Sequence, residues 1–236
     1  MKRYVTLDLE TTGLRPGNDR ILEIGAIKVE DGEIVDSYET FVDPEIEIPS
    51  RITAITGITQ AMAEGQTKKE TAVKQLLEFC EELPLLGHNL IFDYSFVKHN
   101  AVNMGLTFEK EGMDTLKIAR EVLPDLESRS LQYLRKYFHI RQEKEHRALG
   151  DANSTYLLYK KLQGKFGDSH PNVFKCRPLI CQVKKKSPAT AAQRRYLFDL
   201  TKYHKIKLDV GIDSLSKNEA SRMIDGILSS YGRIMR

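Results

Sequence analysis

The residues from Val5 to Glu10 alternate between apolar and polar side chains, the pattern of a β-strand with one buried face. The apolar face consists of Val5, Leu7 and Leu9. The opposite face carries Asp8 and Glu10, two carboxylates only two residues apart. Like charges on one face repel each other, and burying an unpaired carboxylate is costly. The strand therefore predicts either a face open to water or a positive partner lying against it.

The rest of the first 163 residues mixes strand and helix patterns. An apolar strand is predicted over 20–30, and the turn signal Asp31-Gly32 leads to a returning strand over 33–42. A short buried strand is predicted over 84–87. Helical spacing is found at 67–83, 92–103, 116–122, 131–138 and 148–162. The fold class predicted is α/β, with helices packed on a mixed sheet.

Composition favours a soluble protein with a hydrophobic core, since 41% of the 236 residues are hydrophobic. That length suits one large domain, or one medium domain with a small one. No apolar run is long enough to span a membrane, and no signal peptide is recognised, so we expect no membrane partner. Three cysteines are too few for a disulfide framework, which favours a reducing, cytoplasmic location.

Charge is distributed unevenly along the chain. Residues 1–164 carry 21 Lys+Arg against 27 Asp+Glu, a net charge of −6. Residues 165–236 carry 15 against 6, a net charge of +9. A basic second part is suited to a polyanion, although a merely solvated, lysine-rich tail is an equal alternative on charge alone.

Glycines, prolines and a lysine run predict a basic linker over 166–187 between the two parts. Two amphipathic helices are predicted beyond it, over 189–204 and 216–230. Thr190 is suited to start the first helix, and Ser216 with Glu219 predicts a capping box for the second.

Two further acidic positions accompany the opening strand. Asp93 falls in the first turn of a predicted helix, directly after a short apolar strand. Asp151 lies near the start of another predicted helix, five residues after His146. Each has an ordinary structural alternative: an acid in a first turn interacts with free N–H groups, and a histidine before a helix is usually a surface residue.

Together the three stretches resemble the motifs of the DEDDh, or DnaQ-like, family of 3′→5′ exonucleases. The first motif, D-x-E-T-T-G, corresponds to residues 8–13. The second, H-N-x-x-F-D, corresponds to residues 88–93, and the third, H-x-x-x-x-D, to residues 146–151. Residues 54–59 also resemble the family's T-G-I-T segment, and the resemblance extends over roughly residues 3–163.

This resemblance implies a ribonuclease H-like fold and a site for two divalent cations, Mg²⁺ or Mn²⁺. Hard cations prefer oxygen ligands, and two of them can stabilise both oxygens of an in-line displacement. The implied ligands are Asp8, Glu10, Asp93 and Asp151, with Asp8 bridging the two ions. His146 would be the general base that deprotonates the attacking water, a role suited to its ordinary pKa. Bound cations would also remove the repulsion between the first two acids.

The same resemblance implies a set of substrate-binding or supporting residues: Thr11, Thr12, Gly13, Leu14, Ile58, His88 and Asn89. The two threonines and Gly13 would lie against the 3′-terminal nucleotide. Leu14 and Ile58 would pack against terminal bases, with ordinary core packing left open as an alternative. His88 and Asn89 would support the site through hydrogen bonds.

The sequence therefore predicts an exonuclease domain over 1–165 that acts on DNA 3′ ends, preferably single-stranded, in replication proofreading or repair. The alternatives are a 3′→5′ exoribonuclease and a non-catalytic, polymerase-associated module that binds nucleic acid. A DNA polymerase subunit is a candidate partner. Nothing in the motifs reads a 2′-hydroxyl, so DNA and RNA both stay open as substrates.

The small C-terminal module, 188–236, resembles a helical unit appended to nucleic-acid enzymes, with the patterns A-T-x-x-Q-x-x-Y-L and L-S-K-x-E-A-S. A DNA-binding role and a docking role are both open for it. Five basic residues of this module are predicted to be exposed to phosphates: Arg194, Arg195, Lys202, Lys205 and Lys207.

Overall fold

The chain divides into two units, Met1–Val183 and Lys184–Arg236. The structure is a computed structural model that describes residues 2–141, 147–183, 185, 187–208 and 211–234. Residues 166–183, most of the segment predicted as a linker, belong to the first unit.

The first unit is built on a mixed sheet with the strand order β4-β3-β2-β1-β5-β6-β7. The strands found among its described residues are β1 (Arg3–Thr11), β2 (Ile21–Glu30), β3 (Glu33–Asp43), β4 (Thr67–Lys68), β5 (Leu85–Gly87), β6 (Glu111–Asp114) and β7 (Arg177–Pro178). The central strand β1 is antiparallel to β2 and parallel to β5. The sheet is therefore mixed, as the sequence predicts.

Helices cover this sheet. They are α1 (Ser50–Thr56), α2 (Gln60–Ala63), α3 (Lys69–Cys80), α4 (Ile91–Asn103), α5 (Thr115–Val122), α6 (Leu131–Tyr137) and α7 (Ala148–Phe166). The α/β fold class predicted from the sequence is thus confirmed. Among the helices that the structure describes, none is long and apolar enough to cross a membrane.

The two faces of β1 bury different clusters. Val5, Leu7 and Leu9 pack with α3 and α4 on one face, as the alternation predicts. On the other face, Tyr4 packs with residues of α5 and α7. Because α7 lies against β1 and β2, the polar face of β1 is partly covered: Thr6 is buried, and Asp8 and Glu10 are half-buried.

The segment after α7 packs onto the first unit. A 3-10 helix, Pro171–Phe174, packs Val173 and Phe174 against the cluster under α7. The chain then adds β7 to the sheet edge, where it runs antiparallel to β6. Val173 and Phe174 stabilise this path, since both are partly withdrawn from water.

The second unit contains α8 (Ala191–His204) and α9 (Lys217–Tyr231), joined through a 3-10 helix, Ile212–Ser214. Its core includes Leu197, Leu200 and Ile227. Both helices begin with a capping box, so the predicted helix starts at Thr190 and Ser216 are confirmed. These caps satisfy N–H groups that a helix start leaves without partners.

Candidate active site

Three carboxylates meet over the centre of the sheet. Asp8 and Glu10 project from β1, and Asp151 projects from the first turn of α7. One oxygen atom from each of the three lies within 4.8 Å of the other two. This spacing would allow one cation to contact all three carboxylates.

The fourth acid, Asp93, reaches the same place from α4. Its Oδ1 accepts a hydrogen bond of 3.0 Å from the backbone N–H of Leu9 on β1. The strand β5 ends at Gly87 and pairs with β1 at Val5 and Thr6. Within the described part of the chain, no strand therefore reaches the Leu9 N–H from that side. Asp93 satisfies it, which fixes the first turn of α4 against the carboxylate pair.

The electrostatics of the cluster favour protons or cations. Burial raises the pKa of Asp8 well above its ordinary value, and the charges of Asp93, Asp151 and Glu10 raise it further. Burial, followed by the charge of Asp151, raises the pKa of Glu10 to about 8. Burial also raises the pKa of Asp93, despite its hydrogen bond from Leu9. Four carboxylates this close together, two of them buried and two half-buried, need a nearby positive charge to stay ionised.

The donor set fits a hard divalent cation. Its side chains offer carboxylate oxygens, the ligands that Mg²⁺ and Mn²⁺ prefer. A cation would reverse the effect of burial and repulsion on these acids, because it stabilises their ionised form.

A cleft of about 310 Å³ opens at this cluster. The lining residues are Asp8, Leu9, Glu10, His88, Phe92, Asp93, Ser130, Leu131, Gln132 and Asp151. The structure therefore brings the four predicted acids and His88 to one opening. Ser130, Leu131 and Gln132, at the start of α6, were missed by sequence reasoning, which predicted the helix but gave it no place in the site.

His88 and Asn89 form the turn between β5 and α4. Nδ1 of His88 lies 2.9 Å from the hydroxyl of Thr115, and burial lowers the pKa of this imidazole. The N–H of Asn89 donates to Oδ1 of Asp114 at 2.9 Å, while Asn89 itself has a φ of 66°. These contacts hold the turn that leads directly into Asp93.

The two threonines after Glu10 shape their own loop. The hydroxyl of Thr11 donates to the Gly13 carbonyl at 2.7 Å. The hydroxyl of Thr12 accepts from the N–H of Arg20 at 2.8 Å, and the N–H of Thr12 donates to the Arg20 carbonyl at 2.8 Å. Both hydroxyls are thus used to fix the loop that follows β1.

Leu14 and Ile58 have opposite environments. Leu14, in that loop, is 81% exposed. Ile58 is 0% exposed and packs in a core cluster with Leu22, Ile48 and Ala63. Leu14 is therefore accessible to a base. Ile58 lies in the core, which agrees with the alternative of ordinary core packing.

An ion pair anchors the start of α7, and sequence reasoning missed it. Glu23 lies opposite Glu10 on β2 and is 0% exposed. Its Oε1 accepts from Nη2 of Arg147 at 2.7 Å and from Nε at 2.9 Å. Its Oε2 accepts from the N–H of Ala148, the first residue of α7, at 3.1 Å. Glu23 thus both neutralises Arg147 and caps the helix that carries Asp151.

Gly25 lets α7 approach the sheet closely. It lies opposite Asp8 on β2. A Cβ at this position would lie 2.1 Å from the backbone nitrogen of Leu149 and 2.2 Å from the carbonyl carbon of Ala148. A glycine within an apolar strand is a signal for such an approach, and it could have indicated that a helix start lies here.

The predicted general base, His146, lies outside the described residues. Its neighbour Arg147 is described, and the guanidinium also lies 5.0 Å from the centre of the Phe41 ring. The chain is therefore fixed directly after His146 by Arg147 and its contacts.

A mixed sheet flanked by helices, with acids over its central strand, defines the ribonuclease H-like class of folds. The family model described as Exonuclease matches residues 5–159, and the chain belongs to this DEDD exonuclease family. The family resemblance read from the motifs is confirmed. Enzymes of this family depend on divalent metal ions, in agreement with the acidic cluster.

Curated relatives include PolC-type DNA polymerase III proteins. The one from Clostridium perfringens is 45% identical over 157 residues, covering 66% of this chain and 11% of the relative. The one from Pediococcus pentosaceus is 28% identical over 239 residues, covering 96% of this chain and 17% of the relative. The chain thus spans only a small part of the length of these relatives.

Solved exonuclease structures share the fold. Exonuclease X in complex with 5′ overhanging duplex DNA is 27% identical, with a TM-score of 0.56, and the match covers 70% of this chain and 93% of that chain. E. coli Exonuclease I in complex with a dT13 oligonucleotide is 18% identical, with a TM-score of 0.67, over 74% of this chain and 44% of that chain. At that identity, the likeness to Exonuclease I concerns the fold alone.

The raised pKa values predict how stability depends on pH without metal. The unfolded chain releases the Glu10 proton near pH 4.5, whereas the folded chain holds it up to about pH 8. Stability contributed by this group is therefore fully present at low pH and is lost as pH rises towards 8. We expect the melting temperature in EDTA to fall between pH 5.5 and 8.5, and added Mg²⁺ to raise it more at pH 8.5.

Thermal unfolding followed by circular dichroism checks this expectation at the two pH values, with and without 5–10 equivalents of a divalent ion. Potassium chloride at matched ionic strength is the control, since a monovalent salt screens charge without binding the cluster. A gain from Mg²⁺ that is equal at both pH values would contradict the expectation.

Proposed function

We propose that this chain is a 3′→5′ exonuclease acting on DNA ends, with a preference for single strands and release of nucleoside 5′-monophosphates. The observation that carries the proposal is the meeting of Asp8, Glu10 and Asp151 in the cleft of a chain that belongs to an exonuclease family. Asp93 joins them through its hydrogen bond to β1.

The placement of the four acids supports their proposed role. The four acids would hold two divalent cations, Mg²⁺ or Mn²⁺, which when bound stabilise charge on the entering and leaving oxygens. Because β1, α4 and α7 are packed elements, they hold the acids at fixed positions. Burial of the acids also keeps their charge poorly screened by water.

The proton of the attacking water would pass to the imidazole of His146, which precedes the anchored residue Arg147. The water oxygen forms a bond to the terminal phosphorus as the bond to the 3′-oxygen of the preceding nucleotide breaks. That oxygen takes a proton from solvent, and a nucleoside 5′-monophosphate leaves. In this proposal Thr11, Thr12 and Gly13 line the path of the terminal nucleotide, with Leu14 beside its base.

DNA is the proposed substrate because the relatives are named as DNA polymerases and Exonuclease X is described in complex with DNA. The same names support a role in proofreading or repair, a DNA polymerase subunit as a partner, and a location in the cytoplasm. We also propose that residues 1–165 carry the activity and that 188–236 form an accessory module.

A labelled-strand assay tests the proposal. One 5′-labelled and one 3′-labelled oligonucleotide, each as DNA and as RNA of the same sequence, are incubated with Mg²⁺, Mn²⁺ or EDTA. We expect a ladder from the 5′-labelled DNA and immediate release of a labelled mononucleotide from the 3′-labelled DNA. EDTA should stop both, because the acids alone provide no positive charge to the transition state.

The other readings give different results in this assay. Faster shortening of RNA than of DNA would indicate an exoribonuclease. Binding of either strand with no shortening under any metal would indicate a non-catalytic module. A circular single strand is the control for internal cutting, and its cleavage would contradict an enzyme that needs an end.

A further inference from the structure

We infer that the second unit carries its own binding surface for an unpaired nucleic-acid strand, on the exposed side of α8 and the chain that follows α9. This surface is defined by Tyr196, Lys202, Tyr203 and Arg233. The inference goes beyond the proposed exonuclease and does not rest on it.

The charge of this unit favours a polyanion. Residues 184–236 carry 12 Lys+Arg against 5 Asp+Glu, a net charge of +7. The first unit, 1–183, carries 24 against 28, a net charge of −4. A strand that follows the positive surface would release its counterions there, which is the main source of sequence-independent affinity.

Aromatic rings on α8 point to bases and not only to phosphates. Leu197 and Leu200 occupy the core side of this helix. Tyr196 and Tyr203 are nevertheless 37% and 49% exposed, and their spacing of seven residues places them on one side of the helix. Exposed rings interleaved with cations are typical of surfaces that stack unpaired bases.

The two tyrosines line one open groove of about 900 Å³. The groove is completed by Asp199, Lys202, Arg233 and Ile234. Asp199 disfavours a phosphate at the middle of the groove and can accept from a base amino group. The phosphates are thereby left to Lys202 and Arg233.

One end of the groove is already held in shape. The Tyr203 ring meets the His204 ring edge to face, with centroids 4.8 Å apart. His204 lies 5.6 Å from the Tyr231 ring, and its Nε2 is 3.2 Å from the Gly232 carbonyl, to which it can donate. These contacts restrain the Tyr203 ring and the backbone next to Arg233, which lowers the entropy cost of binding.

A single strand fits this surface better than a duplex or an acidic protein. A duplex hides the faces of its bases, so the tyrosines would have nothing to stack on. An acidic protein would use the cations but not the row of rings along one helix side. Arg194, which the sequence predicts to be exposed to phosphates, instead lies 3.7 Å from Asp213 and is not included.

A circular single-stranded oligonucleotide tests the inference in the full chain, because it has no 3′ end to enter the exonuclease cleft. Its affinity is measured by fluorescence anisotropy in EDTA, from 50 to 200 mM salt. We expect Tyr196→Ala and Tyr203→Ala each to weaken binding about ten-fold, the size of one stacked base. Lys202→Gln should reduce the salt slope by about 0.7, the value for one lost contact to a single strand.

Three matched variants serve as controls. Tyr203→Phe keeps the ring and should bind like the wild type. Tyr137→Ala removes a tyrosine of the first unit that is 43% exposed, and Lys217→Gln removes a cation at the other end of α9. Both should leave the affinity unchanged.

If the wild-type protein does not bind the circular strand, that result alone overturns the inference. Equal affinity of the wild type and the Tyr196→Ala/Tyr203→Ala double variant would also overturn it. Polyglutamate is the probe for an acidic protein as the occupant. The inference would also be overturned if polyglutamate displaced the circular strand and its own affinity did not depend on either tyrosine.

Discussion

Asp8→Asn is expected to reduce exonuclease activity by on the order of 10³-fold, the size of effect seen when a group that stabilises transition-state charge is removed. Asp8 lies in one cluster with Glu10 and Asp151, and the charges of Asp93, Asp151 and Glu10 each raise its pKa. Asparagine has nearly the same shape but no negative charge, so it should weaken cation binding while leaving the sheet intact.

The same substitution should stabilise the protein without metal. Burial and repulsion oppose the ionised form of Asp8, and the amide removes both effects. We expect a higher melting temperature than that of the wild type in EDTA at pH 8, and a smaller response to Mg²⁺. Activity and stability would therefore change in opposite directions, which a general folding defect cannot produce.

The control is Asp36→Asn, which changes an exposed carboxylate on β3 that accepts from its neighbour's N–H. It should alter neither activity nor the response to Mg²⁺. Full activity in Asp8→Asn would place the chemistry elsewhere. A lower melting temperature in EDTA would show that the acids do not repel one another.

Local patterns were sufficient to predict the strands and helices that carry the acids. The alternation in β1 predicts which face is apolar and which is polar. In the structure, Val5 and Leu7 pack in one core cluster, and Asp8 lies on the opposite side, which faces α7. The hairpin signal Asp31-Gly32 is confirmed by positive φ angles of 46° and 85°, which only such residues adopt easily. These features depend on neighbours in the sequence, so the sequence shows them.

The short helices α1 and α2 were missed because seven and four residues are too few to show a helical period. Gly57 ends α1 with a φ of 70°, and Thr59 precedes α2. The T-G-I-T segment therefore spans the last residue of α1 and the connection to α2. Its Ile58 is turned into a small core, which the motif alone could not indicate.

The acid at position 93 shows the limit of a local interpretation. An aspartate in a first turn usually serves its own helix, and the sequence offers that alternative. In the structure, Asp93 accepts from Leu9, 84 residues away. Glu23 and Arg147 are separated by 124 residues. Glu23 belongs to no motif, and Arg147 occupies a position of the third motif at which any residue is accepted. Such pairs are set by tertiary packing, so they become visible only when the fold is known.

Arg147→Ala is the second change with a large expected effect. It would leave the carboxylate of Glu23, which is 0% exposed, without its cation and close to Glu10. Removing one partner of a buried ion pair typically costs about 3–5 kcal/mol, and we expect a loss of that size in urea unfolding. The control Arg3→Ala breaks the exposed pair with Glu30, with side chains 54% and 37% exposed, and should cost at most about 1 kcal/mol.

Arg147→Ala should also lower kcat, because its partner Glu23 caps α7 and thereby positions Asp151. We expect kcat to decrease by about 10- to 100-fold, which is the usual effect of removing a group that hydrogen-bonds to a metal ligand and orients it. A compensating variant separates stability from positioning. Glu23→Gln/Arg147→Met removes both charges while Gln keeps an acceptor for the N–H of Ala148.

This double variant should recover most of the lost stability, since no unpaired charge stays buried. Its kcat should stay below that of the wild type, because the bidentate contact that fixes Arg147 next to His146 is gone. Recovery of both quantities would mean that the ion pair only stabilises the fold. Recovery of neither would mean that the packing of Arg147 on Phe41, and not its charge, anchors α7.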